Sequence, residues 1–297
     1  MNASFTAKQL RATITLASTG ATFPGTNSNV LTLAWPLRMI SMTTGVARST
    51  VNLDLKIFGM SQPDMNALSV IWFNQPTIQI NTVVLEANSG NGWTQVFSGT
   101  IYDASPDYTA QPNVFFRILA NQSYAAQITP VAPSSYTGAA SVAAIVANLA
   151  KQMGFAFENN GVTATLHNPY LPGTAYDQLQ RVCEASDTDF YFAGKTLAIT
   201  PSGMGRTNPP TTILNAQSGL VSYPVIEQFG LTVQAFFNPS IQGGGQIQIT
   251  GSEVPAANGP WNPFHFVHAL DSNNPNGPWM TTMKCVKWGT TQPDISQ

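Results

Sequence analysis

Val51-Asn52-Leu53-Asp54-Leu55-Lys56-Ile57 decides the reading of this chain. Apolar and polar residues alternate without a break, and a strand sends successive side chains to opposite faces. One face of this segment is built for a core and the other for water or a partner. The same pattern recurs on either side. Leu10, Ala12, Ile14 and Leu16 alternate with Arg11, Thr13 and Thr15, and Leu31, Leu33 and Trp35 repeat it. Turn-forming clusters at Gly20 to Asn29 and at Thr43-Thr44-Gly45 separate the runs. The first third therefore reads as antiparallel strands. One helix interrupts them, predicted from Ser61-Gln62-Pro63-Asp64, with Ser61 as N-cap and Asp64 reaching back to the Ser61 amide. Met65 and Leu68 would face inward. Strands are predicted again over Thr77 to Ala87 and Thr94 to Tyr102.

The period changes after Pro130 to Gly138, a Pro/Ser/Gly linker. Val142, Ile145, Val146, Leu149 and Met153 recur at helical spacing, with Gly154 placed to end the helix. Phe155 to Leu166 suggests one or two short strands. Thr174-Ala175-Tyr176-Asp177 is a second capping box, and Leu179, Val182 and Cys183 follow on one face. Phe190-Tyr191-Phe192 and Leu197-Ala198-Ile199 flank Ala193-Gly194-Lys195 as a hairpin. Ser202 to Pro210 reads as a linker, after which strands return at Leu231 to Phe237, Gln246 to Thr250, Phe264 to Leu270 and Met280 to Trp288. The boundaries drawn are a first β region over 1–134, an α/β insert over 135–201 and a second β region over 202–297. A short internal match, Phe73-Asn74-Gln75-Pro76-Thr77-Ile78-Gln79 against Phe237-Asn238-Pro239-Ser240-Ile241-Gln242, hints that the two β regions are related.

Composition narrows the function. Charged residues make up 9% of 297, against about 25% in ordinary soluble domains. Asn, Gln, Ser and Thr replace them, as in Thr26-Asn27-Ser28-Asn29 and Asp271-Ser272-Asn273-Asn274. A charge buried between proteins loses its hydration, so interface cores are depleted of Lys, Glu and Asp. Such a chain is suited to being covered by neighbouring subunits. Twelve Lys and Arg and a net charge of −2 are a poor supply for displacing counterions from phosphates, so specific nucleic-acid binding is not expected. No run approaches the ~18 apolar residues of a membrane span, and Met1-Asn2-Ala3-Ser4-Phe5 does not open a signal peptide. Cys183 and Cys285 lack CxxC partners and read as free thiols.

A search for chemistry assigns no catalytic, cofactor-binding or metal-ligating residue. No GxSxG, HExxH, Walker or Rossmann pattern occurs. Gly243-Gly244-Gly245 sits between two predicted strands, where a hairpin turn is expected rather than a phosphate cradle. His265 and His268, near Asp271, are three apart on a strand and so point to opposite faces. His167 reads as a loop residue. The carboxylates that could pair as in a glycosidase are Asp103 with Asp107, and Glu184 with Asp187 and Asp189. Asp103 to Asp107 reads as a turn, and Glu184 to Asp189 as a helix end with the turn after it.

Six segments in order carry a resemblance: Ile57-Phe58-Gly59-Met60-Ser61, Phe97-Ser98-Gly99-Thr100-Ile101, Leu179-Gln180-Arg181-Val182-Cys183, Gly219-Leu220-Val221-Ser222-Tyr223-Pro224, Phe236-Phe237-Asn238-Pro239 and His268-Ala269-Leu270-Asp271-Ser272. The chain resembles the baseplate hub proteins of contractile-tailed bacteriophages, the late-control and Mu-like tail proteins. The resemblance implies a mainly β fold with two tail-tube-like β-barrels and a small inserted α/β domain. It also implies a homotrimer whose ring joins the hexameric tail tube to the trimeric central spike among neighbouring baseplate subunits. DNA would pass through the lumen without specific binding. The chain would be a virion component assembled in the host cytoplasm, with no cofactor, no membrane partner and no enzymatic activity. A muralytic domain, present in some relatives, has no counterpart in its length or carboxylates. Two other readings stand beside this one: a hub component of a related contractile injection system, and a cell-wall carbohydrate-binding module using aromatics around Ser135 to Pro201.

Overall fold

A computed structural model describes residues 7–17, 21–24, 26–69, 80–109, 111–209, 211–228 and 230–289. The chain is mostly β and forms two compact units. One comprises Met1–Thr43, Asn52–Tyr124 and His268–Trp279, the other Thr44–Val51, Ala125–Val267 and Met280–Gln297.

The first unit contains β1 (Gln9–Thr15), β2 (Val30–Leu33), most of β3 (Arg38–Val46), β4 (Val51–Phe58), α1 (Gln62–Leu68), β5 (Thr82–Asn88), β6 (Trp93–Asp107) and β7 (Phe115–Asn121). Their order is β3-β4-β7-β6-β5-β1-β2. The alternation read from the sequence is the alternation of burial. Val51, Leu53, Leu55 and Ile57 are buried, as are Leu10, Ala12 and Ile14, while their intervening neighbours are not. Met65 and Leu68 of α1 are buried as expected. The Ser61 cap holds, but Asp64 takes the Ser61 hydroxyl at 2.6 Å rather than the amide, so the box is closed side chain to side chain. Thr77 to Gln79 of the expected strand, and the first half of the internal match, lie outside the described residues.

One expectation fails here. Asp103 to Asp107 is not a turn; it is the second half of β6, paired in register with β7 from Asp103↔Leu119 to Asp107↔Phe115. β5 accompanies β6 only as far as Thr100, so among the described residues Pro106 sits where β6 has a single strand neighbour. A missing amide is tolerated at such an edge. The turn begins one step later, where Asp107 accepts from the Thr109 amide and hydroxyl at 2.8 and 2.6 Å.

The second unit takes in α2 (Tyr124–Ile128) after its first residue, β8 (Ser134–Ser135), β9 (Ala139–Ser141), α3 (Val142–Met153), β10 (Ala156–Asn159), β11 (Thr165–His167), β12 (Tyr170–Leu171), α4 (Ala175–Ala185), β13 (Thr188–Ala193) and β14 (Thr196–Pro201). Ser141 caps α3, and Gly154 ends it in the left-handed conformation that glycine adopts at low cost. Thr174 and Asp177 form the predicted reciprocal capping box on α4. β13 and β14 make the predicted hairpin, Ala193 opposite Thr196, and β10 joins β14 in parallel. The core between helices and sheet is aromatic: Phe190 lies 6.3 Å from Tyr176 and 6.0 Å from Phe192, edge-on to both. His167 is not in a loop but ends β11, exposed, because residues 165–167 pair with Ser141 to Ala139.

The same unit also contains β15 (Thr211–Leu214), β16 (Val225–Glu227), β17 (Gly230–Phe236), β18 (Gln246–Ile249), the first part of β19 (Gly259–Asp271) and most of β20 (Trp279–Lys287). Their order is β16-β17-β20-β19, with β18 joining β19 to β15. Gly243-Gly244 does turn, but not within a hairpin: β17 pairs with β16 and β20, and β18 with β15 and β19. These glycines pack on the ring of Tyr191, where an added Cβ would sit 2.9 Å from it. Among the described residues neither strand path closes on itself.

Candidate assembly surfaces

Six of the twelve Lys and Arg pair with carboxylates inside the units. Arg11 faces Glu86 across β1 and β5 at 2.8 Å. Arg38 holds Asp271 through two bonds of 2.9 and 2.8 Å, and Arg117 holds Asp54 the same way at 3.0 and 2.7 Å. In the second unit Arg206 grips Glu158 with both nitrogens. Arg48 bonds Asp189, Asp187 and Ser202. Lys284 lies 3.5 Å from Glu227. Pairing these groups internally lowers further the charge that a sparsely charged surface presents.

The carboxylates considered as catalysts are therefore engaged or apart. Asp187 and Asp189 share Arg48, and Asp189, only 1% exposed, also accepts the Gly203 amide at 2.8 Å. Glu184 lies on α4, one residue before its end. Asp103 and Asp107 both lie on β6. His265 is half-buried and His268 buried, in the opposite phases that strand alternation predicts. Burial pulls the His265 imidazole below its ordinary value. Asp271 belongs to Arg38. Among the described residues no three metal-ligating side chains gather, and no helix is long and apolar enough to cross a membrane.

Both cysteines are free and buried. Burial pushes the Cys183 thiol up to about 12 and the Cys285 thiol higher still, so the nucleophilic thiolate is scarce at neutral pH. Neither thiol should react with a maleimide at pH 7.5 in the folded chain, and both should react in guanidinium; rapid labelling of the native protein would contradict this burial.

The Arg206 guanidinium lowers the Glu158 carboxyl below its ordinary value. A carboxyl whose folded-state value is depressed contributes stability above its unfolded value, about 4.5, and loses it as pH falls through the folded one. Acid titration of the melting temperature should fall less steeply below pH 4.5 in Arg206→Gln than in the wild type. Superimposable slopes would show that the pair is energetically silent.

What the units leave open is apolar. β16 ends the strand path of its unit, and all three of its residues are exposed. Ile226 lies opposite Leu231, on the face where Leu231, Val233 and Ala235 are buried, yet is 57% exposed. Val225 lies opposite Thr232 on the other face and is 59% exposed. Tyr223 and Phe236 nearby are 58% and 61% exposed. Sequence periodicity missed β16, because three residues are too few to show a period. In the first unit, Val30 on β2, Trp35 in the turn after it and Met42 on β3 are likewise exposed. An open strand edge flanked by apolar side chains is a template for pairing.

Solved structures share this architecture. A component of the type VI secretion system from E. coli matches with a TM-score of 0.59 at 10% identity, over 85% of this chain and 74% of its own. The 43 kDa tail protein of prophage MuSo2 from Shewanella oneidensis gives 0.58 at 10%, covering 93% and 96%. The tail protein of Neisseria meningitidis MC58 gives 0.58 at 9%, covering 93% and 96%. The fold is thus one found in phage tail proteins and in a secretion-machine component. No curated protein matches the chain in sequence. The baseplate hub gp41 family matches residues 33–282, most of the chain, and the chain belongs to that family.

Proposed function

We propose that this chain is the non-enzymatic structural hub of a phage tail baseplate, three copies of which form a ring between the hexameric tail tube and the trimeric central spike. The observation that carries the reading is the family match over residues 33–282. The neutral surface and the open apolar edge at Val225-Ile226 support it, since both suit a subunit covered on several sides. In this reading each copy gives two tube-like β regions, so three copies offer six to the tube. The lumen lets DNA pass without holding its phosphates, and the protein resides in the virion after assembly in the host cytoplasm. The likeness to a type VI secretion component favours a second reading, a hub in a related injection machine. Gold labelling of an epitope-tagged chain in purified tail particles tests the proposal. Label at the junction of tube and spike is expected; label confined to the sheath or to tail fibres would overturn it.

A further inference from the structure

The exposed edge at β16 specifies the chemistry of what covers it. Ile226 points to the face that Leu231 lines and Val225 to the opposite one, so an occupant meets one exposed apolar side chain on each face of the strand. That is the environment of a strand inside a sheet, not of one lying under solvent. The only charge on β16, Glu227, accepts from the Thr232 hydroxyl at 2.5 Å and faces Lys284. The occupant is therefore apolar and close to neutral, which argues against an acidic peptide or a nucleic acid.

The chain itself offers a surface of that kind. β2 and the turn after it expose Val30 at 40% and Trp35 at 68%. The nearest charge along the chain, Arg38, is bound to Asp271 through two hydrogen bonds. β2 ends the strand path of the first unit, as β16 ends that of the second. The two surfaces differ, and a contact between unlike patches on identical chains is heterologous, so it propagates head to tail until a rotation closes it into a ring.

We infer that the β16 edge of one copy docks on the Val30–Trp35 segment of the next copy, and that this is the contact closing the ring. It rests on the proposed ring and names its interface. Ile226 extends the apolar layer of Leu231, Val233 and Ala235 across the junction, and Trp35 supplies the large aromatic anchor typical of interface centres.

The test uses the full chain with Ile226→Asp and, separately, Trp35→Asp. Both positions are exposed, so each variant should melt as the wild type does, which separates lost assembly from lost folding. Light scattering should show each variant as a monomer, with self-association weakened at least about tenfold. An equal mixture should then form one-to-one dimers, because the intact edge of the Trp35→Asp copy meets the intact segment of the Ile226→Asp copy. If only Ile226→Asp loses assembly, the edge pairs with itself and the inference is wrong. If both variants assemble like the wild type, the ring is joined elsewhere and the inference is wrong while the ring reading stands. A wild-type chain that stays monomeric even with spike and tube present would instead remove the ring reading.

Discussion

Arg48→Ala should destabilise the second unit by about 3 kcal/mol. The turn after β3 puts Arg48 in a left-handed conformation, with φ of 58°. Its amide donates to the Phe190 carbonyl at 3.0 Å, and its guanidinium bonds Asp189, Asp187 and Ser202. Asp187 is 79% exposed and loses little when freed, since water replaces its partner. Asp189 is 1% exposed, and without Arg48 it keeps only the Gly203 amide for a buried negative charge. Removing one member of a buried pair costs more than the pair contributes, because the other is left desolvated and uncompensated. Denaturant unfolding should therefore show a large loss for Arg48→Ala, and under about 1 kcal/mol for Asp187→Ala. Adding Asp189→Asn to Arg48→Ala should recover part of the loss by removing the stranded charge. Equal small losses in both single variants would mean that water already reaches Asp189.

Phe190→Ala should cost about 3–5 kcal/mol, the range for deleting a fully buried ring. Phe190 is 1% exposed and stands edge-on to Tyr176 and Phe192, and Phe155 in turn packs 4.9 Å from Phe192. Four rings from α4, β13 and the turn after α3 thus share one core, and truncating Phe190 opens a cavity that the capped helices cannot collapse to fill. Near-ultraviolet circular dichroism should lose its aromatic signal at a lower denaturant concentration than in the wild type. Tyr170→Ala, at a ring 65% exposed, should leave the midpoint unchanged. A Phe190→Ala midpoint within error of the wild type would mean that this core is not what holds the helices to the sheet.

The parts of the fold that could be read in advance are those governed by near neighbours. The alternation in β4, the Gly154 cap of α3 and the Thr174 capping box are all decided within a few residues. Asp103 to Asp107 was misread because Asp, Ser and Pro favour turns locally, whereas pairing with β7 settles the matter. Arg48 and Asp189 are 141 residues apart, and Arg38 and Asp271 are 233 apart, so no spacing rule could join them. The scarcity of charge was plain in the composition; that half of the cations pair within the units, and that Val225 and Ile226 lie at an open edge, required the three-dimensional arrangement.

The central claim is that this neutral surface exists to be covered by copies of the chain. The solution mass of the purified protein, measured by light scattering alone and after mixing with a tail spike protein, tests it most directly. The account predicts the mass of three chains, alone or once the spike is added. A single-chain mass under both conditions would contradict it.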